Sequence, residues 1–429
     1  MRQPASRLSR LAPTVIALLF AALLAACGAG ISSRQPATKP PPAVEAPVPA
    51  EPPAPAAAPL PPVTTEPAQP LSPVAAAPIA SAKPYATAAI LLPLTGQSAA
   101  TGQDLFNAAQ LALFEVADQK FTLLPYDTKG TQEGAADAMR QALINPPDIV
   151  IGPLFAAEVR AAAPLARDAH VPMIALSSDY TVVGDGVYTL GFLPGPQAMR
   201  VVNFAVQRGH HRLAVLAPDN EYGQRVAEQV TASAAKFGVD LVQPQFYGAL
   251  TTDLAGPIKR LVKVDPTGDP GFDMLMLPDT GARLRQVAAA LPALGIDPAK
   301  VKLLGTMLWD DANPGSEPAL TGGWYAAPPA VNHLAFLDRY AKTFGAKPIS
   351  IASLAYDATA LVAVLGKASP RDYSAAALTN SSGFAGVDGL FRLLGDGTAE
   401  RGYSIYEVTP GAPPRELDTA PATFPASGS

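Results

Sequence analysis

A single cysteine, Cys27, in a chain of 429 residues rules out an internal disulfide. Only four histidines are present (His170, His210, His211 and His333), and none falls at a metal-ligand spacing. His210 and His211 follow Gly209 just before an apolar run, where a solvated turn is expected rather than a site. Lysine and arginine form no block in the globular part and the net charge is −5, which excludes the clustered cationic surface that nucleic acid requires. There is no GxSxG elbow, no Walker sequence and no HExxH, and no histidine stands with a serine and a carboxylate in a recognisable pattern. The sequence therefore points to a protein that is not an enzyme and that needs no cofactor or metal. The apolar run at residues 11–24 is shorter than the ~20 residues needed to cross a bilayer.

That run belongs instead to a secretory signal. Arg2, Arg7 and Arg10 supply its positive region, and small residues precede Cys27. The sequence Leu24-Ala25-Ala26-Cys27 resembles a bacterial lipobox, in which the cysteine is diacylated and becomes the first residue of the mature protein. The resemblance implies a signal peptide over residues 1–26, lipidation at Cys27 and attachment to a membrane through the lipid. Gly28 stands where inner-membrane retention usually calls for aspartate, which implies sorting to the outer membrane. Residues 28–84 hold more than a third of the chain's 47 prolines. Such a Pro/Ala tract has too little apolar side chain to offset its ordering entropy and is expected to be disordered or polyproline-like. Its reach is at most about 175 Å fully extended and nearer to about 40 Å as a coil, so residues 27–84 read as a tether.

From residue 85 onward, short apolar strands alternate with amphipathic helices. Strands are expected at 89–92, 122–126, 149–151, 173–176 and 187–192, separated by helices at 101–116, 133–144 and 156–168. Pro194, Gly195 and Pro196 then break the pattern and mark a crossover. A second set of the same units runs from residue 197 to a strand at 324–327, and two long helices follow, at 334–344 and 351–365. The pattern predicts an α/β fold of two Rossmann-like lobes with parallel sheets. The close differs: residues 389–394 and 403–408 flank Gly395-Asp396-Gly397 and are expected to form an antiparallel hairpin. The Pro-rich residues 409–429 are expected to be a disordered tail.

Several separated stretches carry a family resemblance. LLPLTGQSAATG at 91–102, DIVIGPLFAAEV at 148–159, APDNEYGQ at 217–224 and LAYDATALVAV at 354–364 together resemble the type 1 periplasmic binding fold, in its leucine/isoleucine/valine-binding branch. The resemblance implies a three-strand hinge, with crossings near residues 193, 327 and 382. Lobe one would comprise 85–193 and 328–381, and lobe two 194–327 and 382–408. With the lipobox and the tether, the chain further resembles the penicillin-binding-protein activator lipoproteins. That family implies a bifunctional penicillin-binding protein, a peptidoglycan synthase, as partner, stimulated from the periplasmic face of the outer membrane. Relatives of that family carry a helical-repeat domain where this chain has its Pro/Ala tract.

The expected cleft lies beyond the carboxyl ends of the strands. In lobe one, the loop at 94–101 offers Thr95, Gln97 and Ser98 as donors. The resemblance implies that an amino-acid ligand would be held by loops after the third and fourth strands and by an acidic group of lobe two. Those loops here present Phe155 and Ala156, with no hydroxyl where a serine is usual, and Ser177 and Ser178, which either contact ligand or satisfy turn amides. In lobe two, Tyr222 is placed over the ligand or stacked on its own helix. Asp279, ahead of Thr280 and Gly281, suits a helix cap better than a ligand contact. Trp309 suits a cleft wall and a partner surface equally. Two functions are thereby expected in order: a non-catalytic regulator of a peptidoglycan synthase, or a solute-binding lipoprotein of an ABC importer for branched-chain amino acids or amides.

Overall fold

Ala88, Ala89, Ile90, Leu91 and Leu92 are consecutive and none is more than 1% exposed. An uninterrupted apolar run of this kind marks a strand covered on both faces, the condition of a parallel sheet flanked by helices. In the computed structural model, which describes residues 86–248, 251, 253–263, 268–368 and 370–424, this run forms the centre of β1 (Ala86–Leu92). The signal peptide, Cys27 and the tether lie outside the described residues.

Lobe one continues with α1 (Ala99–Val116), β2 (Phe121–Asp127), α2 (Gln132–Ala142), β3 (Ile149–Ile151), α3 (Ala156–Asp168), β4 (Met173–Ala175) and β5 (Val187–Thr189). Its sheet has the order β2-β1-β3-β4-β5, parallel throughout. The order reverses at β1, so the loops after β1 and β3 diverge to opposite faces and leave a crevice between them. Gly102 fixes how α1 leaves that crevice: a Cβ there would lie 2.1 Å from the Pro93 carbonyl oxygen, so only glycine lets the helix pass so near the strand end.

Lobe two contains α4 (Pro194–Val206), β6 (Arg212–Pro218), α5 (Glu221–Ser233), β7 (Asp240–Leu241), β8 (Gln245–Tyr247), α6 (Ala255–Leu261), β9 (Met274–Met276), α7 (Gly281–Ala290), β10 (Lys302–Thr306), α8 (Leu308–Asp311) and β11 (Trp324–Ala327). β6 through β11 pair in parallel, and β6 again carries a continuous buried run, Leu213 to Ala217. Between α5 and α6 the chain forms two short strands in place of one longer one. β7 and β8 both pair with β6, with one extra residue between the two registers and Pro244, which has no N–H to donate, in the gap.

The chain then returns to lobe one as α9 (Ala330–Phe344), α10 (Ala352–Gly366) and α11 (Ala375–Leu378), and ends in β12 (Phe384–Gly386), β13 (Gly389–Leu393), β14 (Ala399–Arg401), β15 (Ser404–Glu407) and β16 (Arg415–Asp418). Three sequence expectations need correction here. The partner of β13 is β14, not residues 403–408; β15 instead joins lobe two's sheet, antiparallel to β11. The β13–β14 hairpin packs with lobe one, where Phe391, Leu393 and Ala399 share a core with Ile90, Leu92 and Leu190, and Thr189 N–H donates to the Gly397 carbonyl at the hairpin tip. The third crossing therefore falls at Gly402 and Tyr403 rather than near 382. Finally, part of the tail expected to be disordered forms β16, which pairs with β15 through a register shift.

Candidate functional site

A cleft of about 890 Å³ lies between the carboxyl ends of the two sheets. Lobe one contributes Ser98 and Thr101 from the start of α1, Leu154 to Ala156 after β3, and Leu176 to Asp179 after β4. Lobe two contributes Asn220 to Tyr222 and Arg225 from α5, and Met307, Leu308 and Asp311 around α8. Phe192, Pro194 and Gln197 of the first crossing and Ile349 to Ile351 with Leu354 ahead of and within α10 complete the wall. Most of the surface it presents is apolar, with polar side chains from both lobes interspersed, as in a small-molecule pocket. None of the four histidines lines it.

Of the residues expected from the sequence, the structure brings Ser98, Phe155, Ala156, Ser177, Ser178 and Tyr222 together on this cleft. The other four lie apart from it. Thr95 ties its loop to the end of β2, donating from Oγ1 to Asp127 at 2.5 Å and from its N–H at 3.1 Å, while Gln97 is exposed beside it. Burial opposes the charge on Asp127, but hydrogen bonds from Thr95, Lys129 and Leu94 hold its carboxyl below the usual range. Asp279 is buried; it accepts from the Tyr247 hydroxyl and, at 2.7 Å, from Thr280 N–H. Trp309 is fully buried in the lobe-two core, its Nε1 donating to the Leu277 carbonyl at 3.0 Å. Its ring lies against Gly305, where a Cβ would sit 2.1 Å from the indole.

Several of the cleft's polar groups are already engaged within the protein. Ser177 accepts from Asp179 N–H at 3.1 Å, a turn bond, and Ser178 is exposed to the cleft. Tyr222 donates to Thr306 at 2.8 Å, and burial pushes its phenol well up. Phe155 N–H, at the N-terminus of α3, donates to the Glu158 carboxylate at 3.0 Å. Glu158 is 1% exposed and also accepts from Thr128 Oγ1 at 2.5 Å; burial raises its carboxyl above the usual range against the pull of these bonds. The chain's own carboxylate thus occupies the anion-binding end of that helix.

Asp179 accepts from Thr181 N–H at 2.8 Å, Thr181 Oγ1 at 2.6 Å and Arg160 at 3.1 Å. Burial works against its charge, but these donors, with Arg225 nearby, keep its carboxyl below the usual value. Arg225, from lobe two, lies 3.9 Å from Asp179, donates to the Tyr180 hydroxyl at 3.4 Å and covers the Tyr180 ring at 5.0 Å. A second contact between the lobes joins Ser350 to Asp311 at 3.5 Å. Gln197 is fully buried and braces the first crossing, donating to the Leu193 carbonyl at 3.1 Å and accepting from Met307 N–H at 3.0 Å. Arg225, Gln197 and Ile349 to Leu354 were not legible as site residues, because they sit within helices or hinge segments rather than in the loops directly after strands. Among the described residues, no group of three or more His, Cys, Asp or Glu side chains is placed to hold a metal ion.

The sequence pattern described as "Periplasmic binding protein" matches residues 86–413. Penicillin-binding protein activator LpoA of Vibrio cholerae serotype O1 is 27% identical over 165 residues, which are 37% of this chain and 27% of that protein. An uncharacterized protein of Rickettsia prowazekii is 22% identical over 160 residues, 37% of this chain and 42% of that one. The chain thus spans well under half the length of either curated relative. Among solved structures, a putative branched-chain amino acid ABC transporter protein from Rhodospirillum rubrum superposes with a TM-score of 0.67 at 18% identity, covering 78% of this chain and 100% of that one. A solute-binding protein of an ABC transporter from Rhodopseudomonas palustris, in complex with 3,4-dihydroxybenzoic acid, gives 0.59 at 19% identity, covering 80% and 98%. These likenesses establish the fold, two α/β lobes joined by three crossings. The chain belongs to the periplasmic binding protein family.

Proposed function

We propose that this protein is a non-catalytic lipoprotein, anchored through Cys27 at the periplasmic face of the outer membrane, whose two-lobed head activates a bifunctional penicillin-binding protein. The observation that carries the reading is the occupied Phe155 amide. Where an amino-acid binder would receive a ligand carboxylate, Glu158 already accepts that hydrogen bond. The likeness to LpoA, named as a penicillin-binding protein activator, supports the choice of partner. The test is reconstitution of the full chain with each bifunctional synthase of the source organism, reading binding and the rate of glycan polymerisation. Stimulation of at least one synthase is expected; no binding and no rate change across the whole set would overturn the reading.

A second reading has its own support. The cleft is about 890 Å³ and largely apolar, which is ample for a small amino-acid-like or amide solute delivered to an ABC importer. A saturable ligand that stabilises the head would favour it.

A further inference from the structure

Four ionisable side chains outside the cleft meet where the lobes are joined. Asp357 on α10, Asp388 in the β12–β13 turn and Arg401 at the end of β14 are 1%, 0% and 7% exposed. Asp357 accepts from Val387 N–H at 2.8 Å and from Arg401 at 3.5 Å. Arg401 also donates to the Asp388 carbonyl at 3.4 Å. His333, in the first turn of α9, contacts the Asp388 carboxylate through Nδ1 at 2.7 Å, and about a quarter of its side chain reaches solvent. Asp388 Oδ2 and Arg401 Nη2 have no hydrogen-bonding partner within the protein.

The cluster touches all three crossings. The Arg401 guanidinium lies over the Phe192 ring of the first crossing at 4.9 Å. His333 follows Pro328 and Pro329 of the second, and Gly389, one residue from Asp388, approaches Pro329 so closely that a Cβ there would lie 2.9 Å from its ring. Arg401 itself directly precedes Gly402 and Tyr403 of the third. Two carboxylates against one guanidinium leave a surplus negative charge in a buried place, which is costly unless a proton neutralises it. His333 is the group through which that proton can enter.

We propose that Asp357, Asp388, Arg401 and His333 form a proton-linked clamp on the hinge: with one shared proton they hold the lobe-one ends of the three crossings as a single pivot, and loss of that proton frees the lobes to separate. The groups facing His333 are all acidic, namely Asp388 from the β12–β13 turn, Asp310 and Asp311 from α8, and Asp357 from α10. Those facing Asp357 are Asp388, Arg401 and His333. Burial opposes a charge on His333, but the hydrogen bond and charge of Asp388, with Asp310 and Asp357, outweigh it and raise its titration. Burial and then the Asp388 charge raise the Asp357 carboxyl, against Arg401. Both groups bind protons more tightly in the folded chain, so their contribution is present at low pH and lost as pH rises through the raised values. The clamp does not depend on which partner the head serves.

The test is a distance measurement between the lobes of the full chain, with spin labels at Gln141→Cys and Lys259→Cys in a Cys27→Ser background. The span from about pH 5.5 to about pH 8.5 brackets histidine titration. A narrow distribution is expected at the acid end and a longer or broader one at the alkaline end, with a midpoint above about 6.5, the ordinary histidine value. His333→Gln and Asp357→Asn should each displace that midpoint, and together they should abolish the response. A wild-type distribution that does not change with pH, or a double variant that responds as the wild type does, overturns the proposal. If the double variant does not fold, an unmoved midpoint in His333→Gln, at the partly exposed site, overturns it equally.

Discussion

The guanidinium of Arg225 on lobe two lies 3.9 Å from the Asp179 carboxylate on lobe one, across the mouth of the cleft. Asp179 is already held by Thr181 and Arg160, so the arginine meets a fixed and ionised carboxylate. The pair is partly exposed and long, which limits its worth to about 1 kcal/mol or less. Arg225→Gln should therefore shift the balance toward open lobes by at most about fivefold, with little change in melting temperature. Small-angle scattering or an interlobe distance measurement reads the shift, and added salt should reproduce it in the wild type. An unchanged interlobe distance would show that the contact follows closure rather than favouring it.

Trp309 predicts a much larger effect. Its indole is fully buried against Gly305, at the centre of a cluster that includes Leu277, Leu320 and Tyr325. Trp309→Ala should cost about 3–5 kcal/mol, from lost burial and the cavity left behind. Gly305→Ala should also destabilise, because the added methyl must displace the ring. Chemical denaturation of both variants checks this: a loss below about 1 kcal/mol in Trp309→Ala would mean that the indole's burial contributes little.

What the sequence revealed and what it hid differ for physical reasons that these residues illustrate. The parallel strands were legible because burial on both faces writes an unbroken apolar run, as from Ala88 to Leu92 and from Leu213 to Ala217. The β13–β14 hairpin was visible as a turn, but its second strand was misplaced. Ile405, Tyr406 and Val408 are as apolar as a hairpin partner would be, yet all three are buried in lobe two, a tertiary choice that periodicity does not encode. In the cleft, loops directly after strands could be listed by position, which placed Ser98, Phe155, Ala156, Ser177, Ser178 and Tyr222. Position could not tell that Trp309 turns inward onto Gly305, or that Arg225, a turn into α5, reaches over to Tyr180.

Glu158 offers a pH-dependent test of the occupied helix terminus. Burial raises its carboxyl above the usual value in the folded chain, although Thr128 and Phe155 donate to it. A folded value above the unfolded one means that the group's stabilising contribution is complete below about pH 4.3 and is lost as pH rises through the raised value. Glu158→Gln cannot ionise, so it should lose less stability than the wild type over that interval while keeping an acceptor for Thr128 or Phe155. Melting curves from about pH 4 to about pH 7 check the difference. Parallel pH profiles would mean that Glu158 titrates no differently folded than unfolded.

The same carboxylate decides what the cleft should refuse. A free α-amino acid brings a carboxylate that needs donors, and on the α3 side the Phe155 N–H is committed to Glu158 while Ala156 and Ala157 carry no hydroxyl. Leucine, isoleucine and valine are therefore expected to leave the melting temperature of the full chain unchanged at millimolar concentration. The measurement is sensitive enough to be decisive, since a ligand present at 100 times its dissociation constant stabilises by about 2.7 kcal/mol. Glu158→Ala separates the two explanations for a flat response. If occupancy of the amide is what excludes the ligand, removing the carboxylate should let a branched-chain amino acid bind weakly, as far as the variant remains folded. If the response stays flat, the apolar wall itself excludes a zwitterion. A saturable rise in the wild type that Ser178→Ala abolishes would instead place the donor at the loop after β4 and move the protein to the solute-binding reading.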